Sequence, residues 1–301
     1  MPAKPSKPTP AERRAARLAA EAAAAAEAAR RQRRAQLIRV AAPVAVVLVI
    51  VIALVVAKVA TGGSKLKSGQ KSAAAATTVI QQVTHVPTAT LNSVGIGSVK
   101  NAPTAIAGPA LTENGKPLVL YVGAEYCPFC AAERWGVVAA LSRFGTFTGL
   151  GQTASSPSDS PPNTATLTFH GASFTSSSIA FTGKETRSNQ VVGGSYAPLD
   201  TLTAAETATV KKYDPSGGIP FVDIGGKYLI NGASYDPTVL AGKTHAQIAA
   251  ALSDPTSPIA LGADGTANLV TAAICQSTAQ RPVAVCQAAG VVKATARLTG
   301  S

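Results

Sequence analysis

The longest apolar stretch of the chain, Leu37 to Ala60, lies close to the N-terminus. Its central part, Val40 to Ala57, contains 18 consecutive residues without a charge. That is about the length that an α-helix needs to cross the hydrocarbon core of a bilayer. The stretch therefore predicts one transmembrane helix over residues 37–60. A cleaved signal peptide is the alternative, although its apolar region is normally shorter and ends at a small-x-small cleavage site.

In the C-terminal two thirds of the chain, short apolar runs alternate with longer amphipathic ones. Pro117 to Val122 is a continuous apolar run, which suits a strand buried on both faces. In the segment after it, apolar residues recur at three-residue spacing, which predicts a helix with one buried stripe. These residues are Trp135, Val138, Leu141 and Phe144. Further strands, a helix over 203–213, a hairpin around Gly225-Gly226 and terminal helices follow, and this alternation is typical of an α/β fold.

Several stretches have no strong period. Residues 61–76 are small, polar and basic, which predicts a flexible linker. Residues 77–87 alternate weakly and predict an edge strand, whereas 91–116 predict mostly loop and 155–164 a disordered tip. The predicted organisation has four parts. They are a basic cytoplasmic tail (1–36), a transmembrane helix (37–60), a flexible linker (61–76) and an extracytoplasmic domain (77–301).

The net charge of +12 is confined to the N-terminal part of the chain. Residues 1–71 contain 14 Lys and Arg against 3 Asp and Glu, whereas residues 72–301 contain 13 against 12. Ten basic residues precede the uncharged core of the span and four follow it closely, which orients the N-terminus toward the cytoplasm. The sequence thus predicts a single-pass protein of the cell membrane. Nucleic-acid binding is not expected, because the basic stretch contains no aromatic residue.

Candidate chemistry is concentrated between the predicted strand and helix, in the string YVGAEYCPFCAAERWG. Unpaired N–H groups and the helix dipole favour a thiolate at the start of a helix, so Cys127 is the candidate nucleophile and Cys130 the resolving thiol. An inert disulfide and half of a zinc site are the alternatives. Zinc needs two further ligands, and the histidines are isolated in the sequence, so neither a metal nor a cofactor is expected. The histidines are His85, His170 and His245.

The other two cysteines, Cys275 and Cys286, have ten residues between them. A structural disulfide that closes this loop is favoured, with a stabilisation of about 3 kcal/mol. A second redox pair that passes electrons to the first is the alternative. All four cysteines follow the predicted span, in a compartment where disulfides persist. Trp135 and Phe144 are expected in the core, whereas Tyr126 is equally compatible with the core and with a substrate groove.

The string AEYCPFC after a buried strand, the long helix that follows and the later string GIPFV together resemble the thioredoxin superfamily. The resemblance implies a central mixed sheet flanked by helices, with an insertion between the helix of the Cys pair and the strand after Pro220. It also implies that Cys127 attacks and Cys130 resolves. Pro220 would be cis and face the sulfurs, and the backbone of Ile219 would pair with a bound substrate chain. Tyr126 lies where the superfamily often has an aromatic residue.

Two features depart from thioredoxin itself. Tyr121 occupies the place of a buried aspartate that helps to move protons, and Pro-Phe replaces Gly-Pro between the cysteines. Across nearly all of residues 77–301, the chain is similar to a family of membrane-tethered actinobacterial and archaeal proteins, domain-of-unknown-function family 929. The strings LYVGAEYCPFCAAERW and IPFVDIGG, with the terminal pair of cysteines, carry this similarity.

These features predict a membrane-anchored, extracytoplasmic thiol–disulfide oxidoreductase that acts on secreted or envelope proteins through Cys127 and Cys130. Its expected partners are cysteine-containing secreted or membrane proteins, and a membrane redox partner is compatible with the predicted anchor. The alternative is a redox-silent or metallochaperone-like module of thioredoxin fold that holds a partner beside Pro220. Copper handling would favour a His or Met near the pair, and the only methionine is Met1.

Overall fold

The computed structural model describes residues 66–300. The predicted tail, transmembrane helix and first part of the linker lie outside this range. Within it, no helix combines the length and the hydropathy that crossing a bilayer requires. The described residues form a mixed α/β structure of sheets and helices, as the alternating pattern predicts.

Most strands are short, and the helices vary from one turn to more than five. In chain order the strands are β1 Ala73–Ala74, β2 Thr104–Ala105, β3 Thr112–Glu113, β4 Lys116–Gly123, β5 Thr146–Thr148, β6 Gly151–Ala154, β7 Ala165–Thr168, β8 Ser173–Thr175, β9 Ala180–Glu185, β10 Arg187–Val192, β11 Ser195–Pro198, β12 Phe221–Ile224 and β13 Tyr228–Asn231. The helices are α1 Thr77–Thr84, α2 Thr88–Val94, α3 Pro128–Leu141, α4 Ala204–Tyr213, α5 His245–Ala251, α6 Pro258–Ser277, α7 Val283–Cys286 and α8 Ala289–Thr299, with a 3-10 turn at Pro237–Leu240.

The central sheet is mixed and has β4 in its interior. β4 runs parallel to β9 and antiparallel to β12, and β12 pairs antiparallel with β13, which in turn pairs with β2. The β12–β13 hairpin turns at Gly225 and Gly226, whose positive φ angles of 66° and 70° suit glycine. The hairpin predicted around these two glycines is therefore confirmed.

Additional strands lie between α3 and β12, where the resemblance implies an insertion. β6 pairs with both β1 and β7 in a three-stranded antiparallel sheet. β5 pairs with β8, and β10 pairs with β11, in two further antiparallel units. These strands cover parts of α3 and of the turn before it.

Helix α3 is buried on almost every side, which differs from the single buried stripe predicted. Trp135, Val138 and Leu141 are fully buried as expected, but 13 of the 14 helix residues are buried. The reason is that α6, β7 and α1 pack around the helix. Any polar side chain on α3 beyond its first turn must therefore find a partner inside the protein.

The prediction of an edge strand over 77–87 is wrong, because residues 77–84 form helix α1. Val79 and Val83 are four residues apart and both are buried, which places them on one helical face. The stretch predicted as mostly loop is also partly helical at its start, since α2 ends at Val94. The weak alternation of apolar and polar residues in this stretch did not indicate a strand, because the free energy gained by burying Val79 and Val83 on one face favours a helix.

The predicted disordered tip at 155–164 is an ordered loop. The Ser155 N–H donates to the carbonyl of Thr164 at 2.9 Å, and the Thr164 N–H donates to Ser155 Oγ at 2.9 Å. Both residues are fully buried. Serine and threonine side chains thus supply bonds that the loop backbone cannot make with itself.

Residues 66–76, which the sequence assigns to a flexible linker, are docked on the domain and are called here the N-terminal strap. Their strand β1 pairs with β6. The Gly69 N–H donates to the carbonyl of Asn189 at 2.8 Å, and Asn189 Nδ2 donates to the carbonyl of Gln70 at 2.8 Å. The folded unit therefore begins earlier than residue 77.

Cys275, near the end of α6, and Cys286, at the end of α7, form a disulfide with a Cα–Cα distance of 5.7 Å. Both residues are buried. The bond joins α7 to the long helix that packs on α3.

Two carboxyl groups are fully buried where α3 and α6 meet the loop after β13. Glu133 accepts hydrogen bonds from the N–H and the hydroxyl of Ser234, at 2.8 and 3.0 Å, and burial raises its pKa to about 7. Neither oxygen of Asp264 has a partner among residues 66–300, and burial raises its pKa to about 8. Ionising either group inside the protein therefore costs stability.

We expect Asp264→Asn to raise the unfolding temperature, with a gain that grows with pH. Because the folded-state pKa of Asp264 is about 8, the folded state keeps a proton that the unfolded state releases above about pH 4. Stability is lost as the pH rises from about 4 to about 8, and asparagine avoids this loss because it cannot ionise. Thermal unfolding of the purified protein should show a gain about 10 °C larger at pH 8 than at pH 5.

The matched control is Asp254→Asn. Asp254 is exposed, and the hydroxyl and the N–H of Thr256 donate to it and lower its pKa, so it stays ionised over this range. Its substitution should change the unfolding temperature equally at both pH values. A gain from Asp264→Asn that does not depend on pH would contradict the prediction.

Candidate active site

The turn between β4 and α3 places Cys127 at the N-terminus of α3. β4 ends at Gly123, and Cys127 has an extended backbone (φ −81°, ψ 122°) and caps the helix. Pro128 follows at the first helical position, where its missing N–H costs little because that group would have no intrahelical partner. Cys130 lies one turn further, so both sulfurs are at the same end of the helix.

The two cysteines are free thiols in different surroundings. Cys130 is fully buried, and Cys127 is 6% exposed. The Cys130 N–H donates to Cys127 Sγ at 3.3 Å. A hydrogen bond from the Cys130 thiol is the largest effect that lowers the pKa of Cys127, whereas burial raises the pKa of Cys130 well above its ordinary value. Cys127 is therefore the thiol that ionises first.

The loop before β12 brings Ile219 and Pro220 to the same place. The Ile219–Pro220 peptide bond is cis, and β12 pairs with β4 directly beside the cysteine turn. The Cys127 thiol donates to the carbonyl oxygen of Ile219 across 4.0 Å, although the two residues are 92 positions apart. The structure thus joins Cys127, Cys130 and the Ile219–Pro220 peptide in one site.

Tyr126 is half-buried and packs against β11. Its ring stacks on Tyr196 of β11, with ring centroids 4.2 Å apart and 4° between the planes. Ser156 joins the two, because its N–H donates to the carbonyl of Tyr126 at 2.8 Å and its hydroxyl accepts from the Tyr196 hydroxyl at 2.6 Å. Burial raises the pKa of Tyr126. No sequence pattern pointed to Tyr196.

Phe129, between the two cysteines, is 47% exposed. It is the single exposed residue of α3. An apolar surface therefore lies beside the sulfur of Cys127 and is open to an approaching chain.

The N-terminal strap reaches the turn that carries Cys127. Ser72 Oγ lies 2.7 and 2.8 Å from the two carboxylate oxygens of Glu125, which is almost fully buried. The Glu125 N–H donates to the carbonyl of Arg187 on β10 at 2.9 Å. The residue two positions before Cys127 is thus fixed by both the strap and β10.

Sequence reasoning missed a buried ion pair close to the site. Arg134, one turn after Cys130, binds Glu185 at the end of β9, and both side chains are fully buried. Arg134 Nε lies 2.7 Å from Glu185 Oε1, and Nη2 lies 2.6 Å from Oε2. Nη2 also donates to the carbonyl of Ala124 at 2.7 Å, in the turn before Cys127. The charged pair in the string AERW was the available signal, but nothing in the sequence named its partner.

Across residues 66–300, no group of three or more His, Cys, Asp or Glu side chains is arranged to hold a metal ion. The imidazole rings bond elsewhere: His85 to Thr84, His170 to Asp200, and His245 to the carbonyls of Thr153 and Thr166. Cys275 and Cys286 are joined to each other and so offer no thiol to the Cys127–Cys130 pair.

Replacing Cys130 tests whether its thiol acidifies Cys127. Cys130→Ala removes the donor and should raise the pKa of Cys127, so that labelling of Cys127 by iodoacetamide slows near neutral pH. Cys130→Ser keeps a hydroxyl donor and should raise that pKa less. Labelling of Cys127 is followed by peptide mass spectrometry as a function of pH. Identical profiles in the wild type and both variants would show that Cys130 does not tune Cys127.

The family profile described as "Domain of unknown function (DUF929)" matches residues 103–276, more than half of the chain. The matched segment contains both thiols and the Ile219–Pro220 peptide. Neither a curated protein nor a solved structure matches the chain. The chain therefore belongs to the DUF929 family, whose description assigns no function.

Proposed function

We propose that this protein is a thiol–disulfide oxidoreductase of thioredoxin-like fold that acts on secreted or envelope proteins through Cys127 and Cys130. One observation carries the proposal: the Cys127 sulfur accepts the Cys130 N–H at a helix N-terminus and lies 4.0 Å from the carbonyl of Ile219, in a cis Ile219–Pro220 peptide. A nucleophile, its resolving thiol and a backbone edge for a substrate chain meet there.

The order of the central strands supports a thioredoxin-like fold. β9, β4, β12 and β13 are neighbours in that order, with β9 parallel to β4 and the other pairs antiparallel. Helix α3 follows β4 directly and begins between the two cysteines. The superfamily has its cysteine pair at this position, opposite a cis-proline that precedes the next antiparallel strand.

In the oxidising direction, a substrate thiolate attacks Cys127 Sγ of the Cys127–Cys130 disulfide. The S–S bond breaks, its electron pair goes to Cys130 Sγ, which takes up a proton, and a mixed disulfide joins the substrate to Cys127. A second substrate thiolate attacks the substrate sulfur of that bond and releases Cys127 as a thiolate. The substrate has lost two electrons and two thiol protons. The enzyme is left reduced, with a Cys130 thiol and a Cys127 thiolate, and the second proton goes to solvent.

The surroundings of the two sulfurs fit these roles. Hydrogen bonding from Cys130 lowers the pKa of Cys127, which makes Cys127 the better leaving group in the second step. Burial raises the pKa of Cys130 and keeps outside thiols away from it. In the reducing direction, the Cys127 thiolate attacks a substrate disulfide, one substrate sulfur leaves as a thiolate, and a mixed disulfide forms. Cys130 then loses its proton and attacks Cys127 Sγ, which releases the second substrate thiolate and leaves the Cys127–Cys130 disulfide. In both directions, Cys127 is the cysteine that forms the mixed disulfide with the substrate.

We place the activity outside the cytoplasmic membrane, because the apolar stretch Leu37 to Ala60 and the basic residues before it favour an anchored chain with an outward domain. Disulfides persist in that compartment. Cysteine-containing secreted or membrane proteins are then the substrates, and a membrane redox partner would restore the pair after each cycle.

Cys130→Ala should accumulate mixed disulfides between Cys127 and its substrates in cells, because the resolving thiol is missing. The adducts are detected as bands of higher mass on non-reducing gels, and they should disappear on reduction. Cys127→Ala is the control and should yield none.

The purified protein should also oxidise or reduce a dithiol peptide, and Cys127→Ala should abolish that turnover. Its reduction potential decides the direction, since thiol oxidases have potentials of about −120 mV and thiol reductases of about −270 mV. If Cys130→Ala yields no adducts and the wild type turns over no dithiol peptide in either direction, the oxidoreductase proposal is wrong and a redox-silent binding module is left.

A further inference from the structure

Arg134 and Glu185 form the one ion pair within residues 66–300 whose two side chains are both fully buried. Removing two charges from water is costly, and mutual attraction offsets that cost only with good geometry and further hydrogen bonds. An apolar pair of similar volume would often fold as well. The position of this pair, next to the cysteine turn, therefore calls for an explanation beyond stability.

The pair connects the cysteine helix to the strand beside β4. The guanidinium of Arg134 binds the Glu185 carboxylate through two parallel bonds of 2.7 and 2.6 Å, the strongest geometry available to these groups. Glu185 is the last residue of β9, and its register partner on β4 is Gly123, where the cysteine turn begins. The direction of the guanidinium is thus fixed by the central sheet.

One carbonyl connects the pair to the nucleophile. Arg134 Nη2 donates to the carbonyl of Ala124 at 2.7 Å, and the same carbonyl accepts the Cys127 N–H at 3.2 Å. The guanidinium and the amide of the nucleophile therefore share an acceptor. A shift of Arg134 would move the turn that holds Cys127.

The charge of Arg134 also acts on both sulfurs. The pKa of Cys127 is lowered first by the Cys130 hydrogen bond and further by the positive charge of Arg134. Burial raises the pKa of Cys130, Arg134 opposes this rise, and Glu185 adds to it. The dipeptide between the cysteines, Pro-Phe, supplies no charge of its own.

Other ionisable groups surround the pair on several sides. Asp200 Oδ2 accepts the Glu185 N–H at 2.9 Å, and its Oδ1 is bonded to His170 Nδ1. Two tyrosines and Glu125 lie on the side of the cysteine turn. Tyr121 is fully buried with the Arg134 guanidinium 5.9 Å from its ring centre, and burial raises its pKa well above the ordinary value. Burial also raises the pKa of Tyr126, so both phenols are neutral at physiological pH. Glu125 is bonded to Ser72 of the strap. Arg187 acts on Tyr126, whereas the cation that acts on both sulfurs is Arg134.

We propose that Arg134 is a positioning residue of the redox site: its guanidinium holds the turn before Cys127 and keeps a fixed positive charge near both sulfurs, while Glu185 holds that guanidinium in place. This inference rests on the proposed function, because it concerns the reactivity of that function's nucleophile. The charge that acts on the sulfurs thus comes from a buried residue one turn after Cys130, because neither residue between the two cysteines is charged.

The test measures the iodoacetamide labelling of Cys127 in the reduced full-length protein from pH 5 to pH 9, by peptide mass spectrometry. At pH 6, Arg134→Met should label about ten-fold more slowly than the wild type, because the thiolate loses its cation. Arg134→Lys keeps the charge and should stay within about three-fold of the wild type. Glu185→Gln removes the opposing anion and should label about two-fold faster.

The opposite signs separate this role from a structural one. A pair that only holds the fold together predicts the same direction of change for Arg134→Met and Glu185→Gln. Slower labelling in both variants, or an unchanged profile in Arg134→Met, overturns the inference. If Arg134→Met does not fold by circular dichroism, Glu185→Gln and Arg134→Lys decide, and slower labelling in Glu185→Gln overturns it.

Arg143→Met is the matched control. Arg143 lies just beyond the C-terminal end of α3 and bonds to Asn268 and Thr271, away from the cysteine turn. Its substitution should leave the labelling profile of Cys127 unchanged. A wild type without turnover of dithiol peptides contradicts the proposed function. If the wild type turns over dithiol peptides but Arg134→Met leaves the labelling profile of Cys127 unchanged, this inference alone is contradicted.

Discussion

The close contact between α3 and α6 is the constraint on which the candidate site depends. Gly136 allows it, because a Cβ at that position would lie 2.6 Å from Thr266 and 2.9 Å from the carbonyl of Ala263. With α6 this near on one side and β7 on another, α3 has no solvent face after its first turn. The only part of the helix that meets solvent is therefore the turn that carries Phe129 and the two cysteines.

A helix enclosed in this way determines what its polar side chains do. Glu133 and Arg134 are adjacent in sequence and point to different partners, Ser234 in the loop after β13 and Glu185 at the end of β9. Neither partner lies near α3 in the sequence. One bond fixes the cysteine helix to a strand of the central sheet and the other to the loop after β13, so the orientation of the two sulfurs is set by the sheet as well as by the helix.

The N-terminal strap and the strands β10 and β11 complete the surroundings of the cysteine turn. Ser72 holds Glu125, and Asn189, which is fully buried, binds the backbone of the strap at Gln70 and the carbonyl of Ala154 in β6. The strap thus contributes to the walls of the site. This explains why its small, polar composition misled the prediction of a flexible linker: its side chains and backbone bond to the domain instead of to water.

The sequence by itself determined those features that depend on near neighbours. The buried strand before the cysteines, the helix start at Pro128, the glycine hairpin after β12 and the α/β class follow from local periodicity and turn chemistry. It also pointed to Cys127 and Cys130 by spacing, and to Pro220 through resemblance. The tertiary structure alone decided the helix at 77–84, the Tyr126–Tyr196 stack and the Arg134–Glu185 pair. Each of these depends on packing or bonding between residues far apart in the chain, which no local pattern encodes.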